Sequence, residues 1–165
     1  MMAIANLKDI YIDQLQDIYS ANTQSAKVTR ELADAAHAAG LRHALKAGVE
    51  GIEDGRNALQ RIITAHGASP SGEFCKGMEG LVKEARSHAL EEEISDKDAR
   101  DAMIITQYQR MAHYGIAGYG CLLAFAKRLG LDDDAKTLEE CLRATAHGDK
   151  TMSELAEGSI NQAAA

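Results

Sequence analysis

The chain has 165 residues, 45% of them apolar but only 4% aromatic, with no Trp and a single Pro. That length suits one domain, predicted over 1–165 with its core at about 6–158, and the balance favours long Ala-, Leu- and Ile-packed helices over a sheet. A net charge of -7 without any Lys/Arg cluster argues against nucleic-acid binding and against attachment to an anionic membrane. No apolar run approaches a membrane span, and MMAIANLKD lacks the basic and apolar regions of a secretory signal. Cys75, Cys121 and Cys141 are odd in number and form no CxxC, so free thiols in a reducing cytoplasm are expected, with Cys121 buried.

The first long helix is predicted to open after an Asn6 cap and run to about Ala38. Leu7, Tyr11, Leu15, Ile18, Asn22, Ser25, Thr29 and Leu32 form its inward face, which turns polar at Asn22. Asp9, Asp13 and Asp17 read as a solvated face. Gly40 breaks to a second helix, Leu41 to about His66, facing inward through Leu41, Leu45, Gly48, Ile52, Gly55, Leu59 and Ile62. With Gly51 beside them, its glycines cost roughly 3 kcal/mol of helix propensity against alanine. Either a neighbour approaches closely here, or larger side chains have been lost.

HGASPSG is a loop, and Ser71 is predicted to cap a short helix from Gly72 to about Leu90. Ser95 and Asp98 read as a capping pair for the third long helix, which ends at Gly130. Ile105, Tyr108, Ala112, Gly115, Tyr119, Leu122, Ala126 and Leu129 share one face of it, nearly empty at Ala112 and Gly115. The fourth helix starts near Asp132, where Asp132, Asp133 and Asp134 suit a helix N-terminus; Gly148 interrupts it and SINQAAA frays. The sum is all-α: a ferritin-like four-helix bundle with a short extra helix in the crossover between the second and third long helices.

Carboxylate-bridged di-iron bundles need a Glu on each of two helices and Glu-x-x-His on each of the other two. The chain has no ExxH or HExxH, and its six histidines form no i,i+3 or i,i+4 pair. Glu50 with Glu53 and Glu84 with His88 read as solvated helix faces rather than as ligand pairs. GxSxG, P-loop and GxGxxG motifs are absent.

LKDIYIDQLQDIYSA, CKGMEGLVKEA, and RDA followed by AHYGIAGYG resemble the YciE/YciF family of ferritin-like bacterial proteins. The resemblance covers about Leu7 to Asn161 with one gap near Thr64–Glu73, and the LG at Leu129–Gly130, Asp149 and the ELA at Glu154–Ala156 agree with it. Against the family pattern, Asn22 replaces a Glu, Gly48 a His, Gly51 a Glu and Glu53 a His. Ala112 and Gly115 each replace a Glu, and Arg143, Ala144 and Thr145 stand in a Glu-rich segment. The resemblance therefore implies a di-metal site whose ligand positions are vacated. Met103, Thr106, Tyr108 and Leu123 look larger than their family counterparts, which suggests partial refilling.

Three functional expectations follow. The first is a non-enzymatic, stress-associated structural or partner-binding protein: the resemblance and the long amphipathic helices imply a homodimer, the cysteines and missing export signal a cytoplasmic one, and the vacated ligand positions no cofactor. The second is a small-molecule site in the vacated layer, lined by Ile52, Tyr108 and Tyr119. The third is a residual oxidase with weakly bound Fe or Mn on Glu50, Glu53, His113 and Asp149. Enzymatic activity is left open, with the balance against it.

Overall fold

The computed structural model describes residues 4–165, all helical apart from turns and connections. Helix α1 is Leu7–Ala35, α2 is Ala39–Ala65, α3 is Lys76–Ala85, α4 is Lys97–Arg128, α5 is Asp132–Leu155 and α6 is Asn161–Ala164. Single π-helical segments, Arg86–Glu91 and Ala156–Ile160, extend α3 and join α5 to α6. Helices α1 and α2 form one antiparallel hairpin and α4 and α5 the other. The crossover carrying α3 lets α1 pack on α4 and α2 on α5, which is the ferritin-like arrangement.

Side chains written into the sequence set the helix ends. Asn6 caps α1 by accepting from the Asp9 amide at 3.1 Å. The α1–α2 turn is closed from a distance: the fully buried Asp101 carboxylate accepts from the amides of His37 and Ala38, both at 2.7 Å. These bonds use the turn's free donors, so α1 ends at Ala35 rather than Ala38. Asp96, not Ser95, caps α4, accepting from Ala99 at 2.7 Å. The crossover helix starts at Lys76 rather than Gly72, because Cys75 and not Ser71 supplies its cap, through Sγ to the Met78 amide. Gly130 leaves α4 at a φ of 69°, a left-handed conformation that glycine adopts without penalty.

Two other expectations are corrected. Gly148 does not interrupt the last long helix, since α5 runs unbroken through it. The tail does not fray: it stays helical to Ala164, because Ile160 is buried and packs into the core.

Large side chains close both ends of the bundle. Tyr11, Leu15, Leu59, Ile63, Leu122 and Leu138 pack one end, and Leu32, Leu41, Leu45, Met78, Ile104 and Met152 the other. All are at most 2% exposed. Between these two clusters the inward faces shrink to Gly and Ala.

Candidate functional site in the middle of the bundle

A cavity of about 710 Å³ takes in that middle stretch and continues along the side between α2 and α5, where its lining reaches from Gly40 to Arg61. Its floor comes from Asn22, Ser25 and Thr29 of α1 and from Tyr108, Met111, Ala112, Gly115 and Tyr119 of α4. Its walls are the small-residue seams of α2 (Gly48, Gly51, Ile52 and Gly55) and α5 (Cys141, Ala144, Thr145 and Gly148). The cavity opens between α2 and α5, where Gly51 and Ala144 are exposed. Asn22, Gly48, Gly51, Ala112, Gly115, Ala144 and Thr145 therefore line one continuous space, although they come from four helices.

Two tyrosines of α4 occupy part of it. A Cβ on Gly48 would stand 2.8 Å from the Tyr108 hydroxyl oxygen, and one on Gly148 3.1 Å from the same atom. The phenol is thus wedged between α2 and α5 where glycine is needed on both. A Cβ on Gly55 would lie 2.5 Å from the Tyr119 hydroxyl oxygen and 3.2 Å from the Asn22 amide nitrogen. By contrast Gly51 has nothing within 4 Å, and Gly115 meets only a Thr145 methyl at 3.5 Å.

The two phenols differ in chemistry. The Asn22 amide donates to the Tyr119 oxygen at 2.7 Å and, at 3.4 Å, to the Ile52 carbonyl. Burial, then the adjoining Cys141, pushes the Tyr119 hydroxyl well above the usual phenol range, while the Asn22 bond pulls the other way. Burial likewise raises the Cys141 thiol. Tyr108 is pushed up to about 12, by burial first and by the Asp149 charge second, with no hydrogen bond contributing. Both phenols are neutral hydrogen-bonding groups at pH 7.

A metal ion does not fit these residues. The cavity floor offers amide, hydroxyl, thioether and methyl groups, and the carboxylates and imidazoles of the lining, Asp54, Glu140, His43 and His147, are all exposed at its rim. Glu50 is exposed, and Glu53 pairs with Arg30. His113 and Asp149 pair with each other at 3.0 Å. Among the described residues no three His, Cys, Asp or Glu side chains are grouped as a metal site. Two hard cations need several oxygen or imidazole ligands converging on one point.

Cys121 departs from expectation: it is exposed, and its neighbour Leu122 takes the inward position. Cys75 is buried beside the Tyr114 hydroxyl at 3.0 Å, and Cys141 is half-buried; all three thiols are free. The lining not foreseen from the sequence is both apolar, as at Met78, Met111 and Leu155, and polar. Ser25, Thr29 and Cys141 line the cavity, and the signal for the first two was an α1 face that turns polar at Asn22 but stays inward.

Residues 6–165 match a family described as a domain of unknown function, DUF892. The chain is a member of the DUF892 family. It is 30% identical to YciF of Escherichia coli K12 over 164 residues, 99% of this chain and 98% of that one. The crystal structure of that protein, described as a stress protein, superimposes with a TM-score of 0.88, covering 96% of this chain and 99% of the other. YcfI of Rhodopseudomonas palustris is 32% identical, with a TM-score of 0.85 over 91% and 94% of the two chains. A protein of Xanthomonas campestris shares the fold at 18% identity, with a TM-score of 0.75 and 96% of each chain covered. This DUF892 chain therefore has YciF-like sequence and architecture over nearly its full length. Among its described residues no helix is long and apolar enough to cross a membrane.

Proposed function

We propose that this DUF892 protein is a non-enzymatic, stress-associated bundle in which a small-molecule cavity has taken the place of a di-metal site. One observation carries the reading: of the positions that depart from the family's ligand pattern, Asn22, Gly48, Gly51, Ala112, Gly115, Ala144 and Thr145 line a single 710 Å³ cavity, whereas Glu53, paired with Arg30, and Arg143 do not. That volume lies in the range of small-molecule sites, roughly 300–1,000 Å³. Buried carboxylates are costly without a metal, so a lineage that stopped using metal gains by replacing them with small neutral residues. Tyr108 and Tyr119 recover part of the lost packing, and the remaining space admits a guest. Cytoplasmic location and a helix-mediated homodimer belong to the same proposal.

Two measurements on the purified chain test it. The neutral dye N-phenyl-1-naphthylamine should bind with enhanced fluorescence at about one equivalent per chain. Gly51→Leu, which projects into the open space, should abolish that binding. After loading with Fe(II) or Mn(II) and desalting, elemental analysis should find less than about 0.2 equivalents of metal, since a di-metal site needs roughly six protein ligands. Two retained metal ions per chain, or no dye binding, would overturn the reading. Light scattering should give a dimer; a monomer or a 24-subunit shell would remove that part alone.

A further inference from the structure

The hydroxyl groups left without partners indicate what kind of guest the cavity takes. Thr29 borders the cavity but is itself fully buried, so a guest reaches its Oγ1 only where the wall over it gives way. That oxygen has no hydrogen-bond partner among the described residues. This is not the habit of threonines in this fold. Thr23, Thr106, Thr137, Thr145 and Thr151 each donate to the carbonyl four residues earlier, at 2.9–3.1 Å. A buried hydroxyl without a partner is costly, and a ligand able to pair with it recovers that cost.

Tyr108 lines the same cavity, only 6% exposed. The two hydroxyls stand at one level of the bundle. Asn22 of α1 meets Gly55 of α2, so in this antiparallel hairpin Thr29, seven residues on, comes level with Gly48, against which the Tyr108 phenol is wedged. Both can donate and they do not bond to each other.

Charge is confined to the rim. Asp54, Arg61, Glu140, His43 and His147 line the cavity, but all are exposed. Arg61, the one Lys or Arg of the lining, stands thirteen residues from Gly48 along α2, and His147, beside Gly148, is exposed. Asp149, close enough to act on Tyr108, makes that level unfavourable for an anion. The space is also long: the cavity-lining stretch of α2 from Gly40 to Arg61 spans roughly 30 Å at 1.5 Å per residue. Gly48 lies nearer one end of it.

We propose that the cavity binds a neutral, elongated, mainly apolar molecule with an internal carbonyl, whose oxygen accepts from the hydroxyls of Thr29 and Tyr108. This rests on the small-molecule reading above and narrows it to one ligand class. A carbonyl oxygen has two lone pairs and matches two donors. At this level a carboxylate would be buried without a Lys or Arg partner, since Arg61 lies toward the far end of the cavity, so a fatty acid gains nothing from the two hydroxyls.

The test is displacement of bound N-phenyl-1-naphthylamine by three probes of similar length: 6-undecanone, undecane and undecanoate. The ketone should displace the dye at a concentration about tenfold below that of undecane, and undecanoate should be weaker than the ketone. Thr29→Val and Tyr108→Phe should each weaken the ketone about fivefold and leave undecane unchanged, whereas Thr29→Ser should keep the ketone preference. Dye binding by every variant reports an intact cavity. Equal displacement by ketone and alkane, no effect of either hydroxyl deletion, or best displacement by undecanoate would overturn the carbonyl assignment while the cavity reading stands. No dye binding by the wild-type chain would remove both.

Discussion

Gly51 and Gly55 lie one turn apart on α2 and meet opposite surroundings. Around Gly55 the bundle is closed: the Tyr119 hydroxyl and the Asn22 amide fill the space a side chain would take, and they are bonded to each other. Around Gly51 there is nothing within 4 Å. The glycines look alike in the sequence, and both weaken the helix, but one accommodates a neighbour and the other leaves a gap. On the proposed reading, in which larger side chains once stood in this layer, their loss is repaired unevenly. A tyrosine from the facing helix can seal one level while the next stays open.

The largest effect should come from rebuilding the family pattern. The set Asn22→Glu, Gly48→His, Gly51→Glu, Ala112→Glu, Gly115→Glu and Ala144→Glu, with Tyr108→Ala to clear the space over Gly48, crowds like charges into the layer. Without metal it should unfold at least ~3 kcal/mol more easily than wild type. Adding Fe(II) or Mn(II) should raise its thermal midpoint. A midpoint indifferent to metal would mean that the closed and open levels do not belong to one former site.

Gly55→Ala comes next. Its Cβ would stand 2.5 Å from the Tyr119 oxygen. The helix-propensity gain of about 1 kcal/mol is outweighed by overpacking, for a net loss of about 1–2 kcal/mol in urea unfolding. Stabilisation would show that Tyr119 moves aside freely and that the level is not closed.

The hydroxyl deletions distinguish the two tyrosines. Tyr119→Phe should cost about 1 kcal/mol, because the Asn22 amide keeps only its long bond to Ile52. Tyr108→Phe removes a hydroxyl that bonds to nothing among the described residues, so it should stay within about 0.5 kcal/mol of wild type. The smallest change is Gly51→Ala. With empty space around its Cβ, only helix propensity acts, and a gain of up to about 1 kcal/mol is expected. A loss would mean that the space is not empty in solution.

The four long helices could be read from apolar spacing because large residues recur every three or four positions at both bundle ends, as in Tyr11–Leu15–Ile18 and Leu59–Ile62. The sparse middle was visible too, since Gly and Ala on an inward face contradict helix propensity. What fills that middle was not visible. Whether the Tyr108 or Tyr119 ring reaches α2 depends on the distance between helices, which no local pattern encodes. Cys121 was misplaced for a related reason: it adjoins Leu122 on a helix flanked by small and apolar residues, and only the packing partner decides which of the two faces in. The helix caps failed at single positions, where Asp96 competes with Ser95 and Cys75 with Ser71 for the same role. The tail was misjudged because Ile160 gains its helix from tertiary burial rather than from propensity.

The central claim is that the open level between Gly51 and Gly115 takes up an apolar guest while both bundle ends remain closed. Methyl-resolved NMR during titration with N-phenyl-1-naphthylamine tests it most directly, because an aromatic guest shifts the methyl groups it touches. The methyls of Ala44, Ala112, Ala144 and Thr145, all on the cavity wall, should shift together and saturate at about one equivalent per chain. Ala33 and Ala126, buried in the two end clusters, should not move. Shifts concentrated at the ends, or none at the cavity methyls, would contradict the account.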